Sequence, residues 1–175
     1  MSLGTVLFQT RRLVVQRLVP ADAEGMFAVY GDPQVSRWAG DGQPLPLSEC
    51  VRWVEVTERN VAQRGYGMCA VRRRGEPGLL GCCGLVHPGG QAEAELKYAF
   101  HRDAWGQGLA SEVVPALLRW GFETFGLPEI IATVMPANEA SLNVLRKAGL
   151  QRLPDRPNDD GSVTAMLRIG RAELR

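Results

Sequence analysis

The periodicity of the chain changes once between Glu93 and Glu112, and that change constrains the fold more than any other stretch. Glu93, Glu95, Lys97, Ala99 and His101 fall on one face of a strand, and Ala94, Leu96, Tyr98 and Phe100 on the other. Arg102 to Gly108 then leads into Val113, Leu117, Trp120, Gly121 and Phe125, which recur at helical spacing and stop at Gly126 and Pro128. Glycines in such a junction let backbone amides approach a ligand with no Cβ in the way. The unpaired amides of the helix start, at the positive end of its dipole, favour phosphate oxygens. The pattern predicts a phosphate cradle, with an ordinary tight turn as the alternative. It is not a GxxxxGK[ST] loop, and Ala110 and Ser111 after Gly106-Gln107-Gly108 break the GxGxxG dinucleotide fingerprint. Pro115 removes a donor inside the helix and predicts a kink or a loosened first turn, unless the helix begins later.

The flanking segments read as alternating strands and helices. Leu13 to Leu18 reads as the first strand, Pro20-Ala21-Asp22 opens a helix carrying Met26, Phe27 and Tyr30, and Asp32 to Leu47 is irregular. Ser48 is placed to cap a second helix, with Val51, Val54, Glu58 and Val61 as its stripe and Gly65 as its end. Tyr66–Arg72 and Leu79–Val86 form a hairpin around Arg73-Arg74-Gly75-Glu76-Pro77-Gly78, and Glu93–His101 continues the meander. Ile130–Met135 is a buried strand, Asn138 caps a short helix carrying Leu142, Leu145 and Ala148, and Val163–Ile169 is the last strand. No repeat or second-domain boundary interrupts 1–175, which predicts one α/β domain.

Composition narrows the function classes. Twenty basic and nineteen acidic residues leave a net charge of +1, which gives no electrostatic case for a nucleic-acid or polybasic membrane-surface protein. No apolar run reaches bilayer length and the N-terminus lacks the zones of a secretory signal, so the expected location is the cytoplasm. Cys50, Cys69, Cys82 and Cys83 lack CxxC spacing, and His87 and His101 lie far apart, so no metal is expected. The neighbours Cys82 and Cys83 would point to opposite faces of a strand.

Trp105-Gly-Gln-Gly-Leu-Ala110 resembles the pyrophosphate loop, [RQ]xxGx[GA], of the Gcn5-related N-acetyltransferases (GNAT), with Gly108 and Ala110 in the small-residue places and Trp105 departing at the first. The wider string Ala104–Glu112 resembles the branch that includes the ribosomal-protein alanine acetyltransferases. Arg12–Leu18, Leu80–Leu85, Glu95–Tyr98, Asn138-Glu-Ala-Ser141 and Leu145–Leu150 match the same branch in order, over roughly residues 11 to 169. The resemblance implies a twisted, mostly antiparallel mixed sheet flanked by helices and splayed between its fourth and fifth main strands, here Glu93–His101 and Ile130–Met135. It implies acetyl-CoA as cosubstrate, its pyrophosphate at Trp105, Gly106, Gln107, Gly108, Leu109 and Ala110, and its pantetheine arm along Tyr98, Phe100 and His101, with Asn138 as a further contact.

An N-acetyltransferase moves the acetyl group to a primary amine, on a protein N-terminus or a small molecule, by direct attack in a ternary complex. The alternative is a non-catalytic acyl-CoA-binding or regulatory module of the same fold. The amine must be neutral to attack, so a base is useful. Glu95 is the first candidate, directly or through water; otherwise it is a solvated strand residue paired with Lys97. The resemblance implies a tyrosine beyond the late helix as acid, but none of Tyr30, Tyr66 and Tyr98 lies there, which leaves Ser141 as the candidate donor to the leaving sulfur. For Asn138 and Ser141 the competing role is helix capping. Glu112 is expected to brace the loop, Trp38 and Trp53 to pack or to line the acceptor pocket, His101 to be solvated or a base, and Arg72-Arg73-Arg74 to form a hairpin tip or meet the 3′-phosphate. A homodimer stays open as an assembly.

Overall fold

The computed structural model describes residues 3–175. Eight strands form one sheet: β1 (Val6–Gln9), β2 (Leu13–Arg17), β3 (Met68–Arg73), β4 (Gly81–Val86), β5 (Ala94–Phe100), β6 (Glu129–Val134), β7 (Gln151–Pro157) and β8 (Val163–Gly170), in the spatial order β1-β2-β3-β4-β5-β6-β8-β7. Every neighbouring pair is antiparallel except β5 and β6, which run parallel. Among the described residues five α-helices flank it: α1 (Ala23–Tyr30), α2 (Pro33–Ser36), α3 (Leu47–Arg64), α4 (Leu109–Phe125) and α5 (Glu139–Lys147).

The strand alternation sorts side chains into two cores. On one face Val71, Cys83, Leu85, Leu96, Phe100, Ile130 and Ala132 pack against Val113, Leu117 and Phe122 of α4 and Leu142 and Leu145 of α5. On the other, Met68, Ala70 and Cys82 pack against Met26, Val29 and Tyr30 of α1 and Cys50 and Val54 of α3. Cys82 and Cys83 point to opposite faces, as adjacent strand residues must.

The parallel pair is the feature that opens a site. β5 and β6 are in register only at Ala94 with Ile130 and Glu95 with Ile131, and beyond Glu95 they part, giving the splay expected between Glu93–His101 and Ile130–Met135. His101 N donates to Leu80 O at 2.9 Å, which sets the odd-numbered residues of β5 toward β4 in the antiparallel ladder. The backbone groups of Leu96, Tyr98 and Phe100 therefore face the gap.

Several local expectations shift. The first strand is Val6–Gln9, so Leu13–Arg17 is the second and Ala94–Phe100 the fifth. Its turn is held from a distance: Thr10 Oγ1 and Arg12 N both donate to Glu112 of α4. α3 is capped at Pro46 rather than Ser48, and its inward face is Cys50, Val54 and Thr57, with Val51 exposed. α4 runs continuously through Pro115. β7 holds Pro154 and Pro157, tolerated because it is an outer strand paired only with β8. Arg72 is not at a hairpin tip: it is buried in β3 and its guanidinium bonds Asp22, Gln16 and the Pro77 carbonyl.

Candidate active site

At the C-terminal end of β5 the chain makes one helical turn, Arg102–Ala104, and enters α4 through Trp105–Gly108. Gly106 and Gly108 both have φ of 72°, the left-handed region that an L side chain adopts only under strain. Among the described residues, the amides of Gly106, Gln107, Gly108, Leu109, Ala110 and Ser111 donate to no protein acceptor, and the first amide of the helix to do so is that of Glu112, to Gly108 O. Space beside Gly106 is open, and a Cβ on Gly108 would meet only the Arg12 guanidinium at 3.6 Å. Six consecutive unpaired donors at the positive end of a 17-residue helix form an anion cradle, and they fit a pyrophosphate.

The cradle is held from β1–β2 and β3. Arg12 Nη1 donates to Gln107 O at 2.8 Å, Gln107 Nε2 to Asp103 O at 2.9 Å, and Arg73 to Gln107 Oε1. Glu112 takes Arg12 Nε at 2.6 Å and Thr10 Oγ1 at 2.6 Å, so it braces the loop. Burial raises its carboxyl, but the hydrogen bonds from Thr10 and Arg12 and the charge of Arg12 outweigh that and hold it at about 2. The folded form thus gives up its proton more readily than the unfolded chain, and the stability it contributes is full above about pH 4.5 and lost as pH falls toward 2. Glu112→Gln is expected to lower stability at neutral pH by about 1–2 kcal/mol after solvent screening, with the difference from wild type vanishing in acid denaturation curves.

Of the three residues expected along the pantetheine arm, Tyr98 and Phe100 turn backbone groups toward the gap. Phe100 O accepts Trp105 Nε1 at 3.0 Å, so the aromatic residue at the loop's first position ties the cradle to the strand. His101 does not face the gap: its amide pairs with Leu80 and its Nδ1 accepts Asp103 N in the helical turn.

The two catalytic candidates lie on opposite faces of the sheet. On the α4–α5 face, the Tyr98 hydroxyl is 2.9 Å from Ser141 Oγ. Burial raises the Tyr98 phenol and the Ser141 hydrogen bond only partly offsets this, so the pair stays protonated at neutral pH. Asn138 is the N-cap of α5, its Oδ1 accepting Ser141 N at 3.1 Å, and its Nδ2 donates to no protein acceptor among the described residues. On the other face Glu95 is 2% exposed. Its Oε1 meets Lys97 Nζ at 2.5 Å and the Thr133 hydroxyl, and its Oε2 takes Gln91 Nε2 at 3.2 Å. It is paired with Lys97, yet it is not solvated.

Gln91 leads further. Its carbonyl is 2.9 Å from His87 Nδ1 and must accept, so His87 carries a proton there, and its Nε2 lies 2.8 Å from the Tyr66 hydroxyl. The loop after β4 is thereby locked against Glu95. Thr133 and the tyrosine partner of Ser141 escaped sequence reasoning because each meets its partner from an element far along the chain, and Gln91, four residues before Glu95, carries no motif of its own. Trp53 lines a cleft of about 280 Å³, partly open to solvent, with Tyr30, Ser36, Asp41 and Leu45, while Trp38 lies under Arg37 at 4.5 Å. Among the described residues no cluster of three metal-ligating side chains occurs, and no helix is long and apolar enough to cross a membrane.

Comparison with known proteins decides the family. The acetyltransferase (GNAT) domain family matches residues 12–151. The chain belongs to the GNAT family. Among its relatives in Bacillus subtilis, YkkB is 36% identical over 149 residues, covering 81% of this chain and 83% of YkkB. The N-acetyltransferase YoaA is 28% identical over 148 residues, covering 83% of each. A GNAT-family acetyltransferase structure from Bacillus anthracis superposes with a TM-score of 0.79 at 24% identity over 94% of this chain and 98% of that one. The splayed sheet of this GNAT protein is thus the fold of its family.

Proposed function

We propose that residues 1–175 work as one acetyltransferase domain that binds acetyl-CoA and passes the acetyl group directly to a primary amine. The observation that carries this reading is the gap between β5 and β6, which has a buried carboxylate on one face of the sheet and a protonated hydroxyl pair on the other. Acetyl-CoA supplies the acetyl thioester. The amides of Gly106 to Ser111 hold its pyrophosphate, and the backbone of Tyr98, with the amide of Phe100 and the carbonyl of Leu96, pairs with its amide-bearing arm as an added strand. Phe100 to Leu96 spans about 14 Å at ~3.4 Å per residue, on the order of an extended pantetheine arm. The thioester end then lies beside Glu95 and Lys97.

Glu95 takes a proton from the incoming ammonium, which matters because an α-amino group is about half neutral near pH 8 and a lysine-like amine far less so. Ser141, with its hydroxyl joined to that of Tyr98, offers the hydrogen bond that the departing sulfur needs, and the free Nδ2 of Asn138 offers a contact to the arm. Support for direct attack comes from the cysteines. Burial pushes Cys69 up to about 12 and raises Cys50, Cys82 and Cys83, so none offers a thiolate for a covalent acetyl intermediate.

The test is a panel of amines incubated with acetyl-CoA and assayed for free thiol. Amine-dependent release is the expected result. Tight acetyl-CoA binding without release for any amine would favour a binding module.

A further inference from the structure

We propose that Glu95 and Thr133 form the subsite for the acceptor's ammonium group, and that Lys97 occupies it until an acceptor displaces it. This rests on the acetyl-transfer reading above. β5 and β6 last pair at Glu95 and Ile131, so Lys97 and Thr133 are the next residues on that face, at the fork where the strands part. Lys97 Nζ lies 2.5 Å from Glu95 Oε1 and 3.3 Å from Thr133 Oγ1. Each carboxylate oxygen has one neutral donor, Thr133 on Oε1 and Gln91 on Oε2, and the ammonium sits on Oε1 beside the Thr133 hydroxyl. An unhindered primary ammonium with hydrogen-bond contacts to a carboxylate and a hydroxyl, beside the expected thioester position, has the geometry of an acceptor, and here the chain's own lysine supplies it.

The two partners differ in freedom. The Glu95 side chain is 3% exposed, so its charge needs a cation beside it; the Lys97 side chain is 41% exposed and its flexible stem lets the ammonium swing into water. Exchange of one ammonium for another keeps the buried carboxylate paired, whereas departure of Lys97 alone does not. The subsite therefore selects acceptors that arrive protonated, with an unbranched chain next to nitrogen, as lysine has.

Two measurements on the full chain test this. Against the best amine of the panel, Lys97→Met is expected to lower the acceptor KM by about tenfold, and Lys97→Arg, whose fork grips a carboxylate more firmly, to raise it. Independently of turnover, n-butylammonium, which reproduces the lysine stem and head, is expected to raise the Tm of Lys97→Ala but not that of wild type or of Lys97→Ala/Glu95→Gln. An acceptor KM unmoved by both Met and Arg overturns the proposal, as does an equal butylammonium response in all three proteins. If wild type acetylates no amine, the acetyl-transfer reading fails, while the butylammonium experiment still decides whether Glu95 receives an ammonium.

Discussion

Glu95→Gln is expected to lower turnover by about 10²-fold or more at neutral pH while acetyl-CoA still binds. The amide is nearly isosteric, so it can keep Gln91 and Thr133 as neighbours, and Lys97, being 41% exposed, can turn to water when its partner loses charge. The cradle lies at the other end of β5, which is why cofactor affinity should be spared. What is lost is the acceptor for the ammonium's proton. The remaining rate should therefore climb with pH as neutral amine accumulates by itself. A folded Glu95→Gln protein with the wild-type pH–rate profile would leave Glu95 as a structural partner of Lys97.

Replacing Gly108 by valine should abolish acetyl-CoA binding at concentrations that saturate the wild type, a loss of about 10²-fold or more in affinity. Gly108 sits at φ of 72°, where a β-branched residue is strained by about 1–3 kcal/mol. Its side chain would also meet the Arg12 guanidinium, which holds Gln107 in place, so relief of strain moves the amides on both sides. The readout is the rise in melting temperature caused by acetyl-CoA, present in wild type and absent in Gly108→Val. Equal rises in the two proteins would remove the cradle from the account.

Much of the frame could be read from local pattern. The alternation of Ala94–Phe100 and the glycines before Leu109 correctly gave a strand, a loop and a helix start, because period and positive φ are properties of a few adjacent residues. β1 is only four residues long and its turn is fixed by Glu112, about a hundred residues away, so no local signal marks it. β7 carries two prolines that argue against a strand until its place at the sheet edge is known. The candidate site was legible in the same measure. Ser141 and Asn138 came from one short motif, and the capping expected of Asn138 is observed. That Ser141 would meet Tyr98, or Glu95 meet Thr133, depends on how β5, β6 and α5 pack, which periodicity does not encode. Arg72 misled for the opposite reason: three consecutive arginines look like a surface turn, yet β3 continues through Arg73 and buries the first of them against Asp22.

The central claim is that the acetyl group passes in one step, within the β5–β6 gap, from the thioester to an amine held by Glu95. Initial velocities measured with acetyl-CoA and the acceptor varied together test it most directly. Both substrates must be bound at once for direct attack, so double-reciprocal lines that intersect are the predicted result. Parallel lines, with an acetylated protein isolable in the absence of amine, would contradict it.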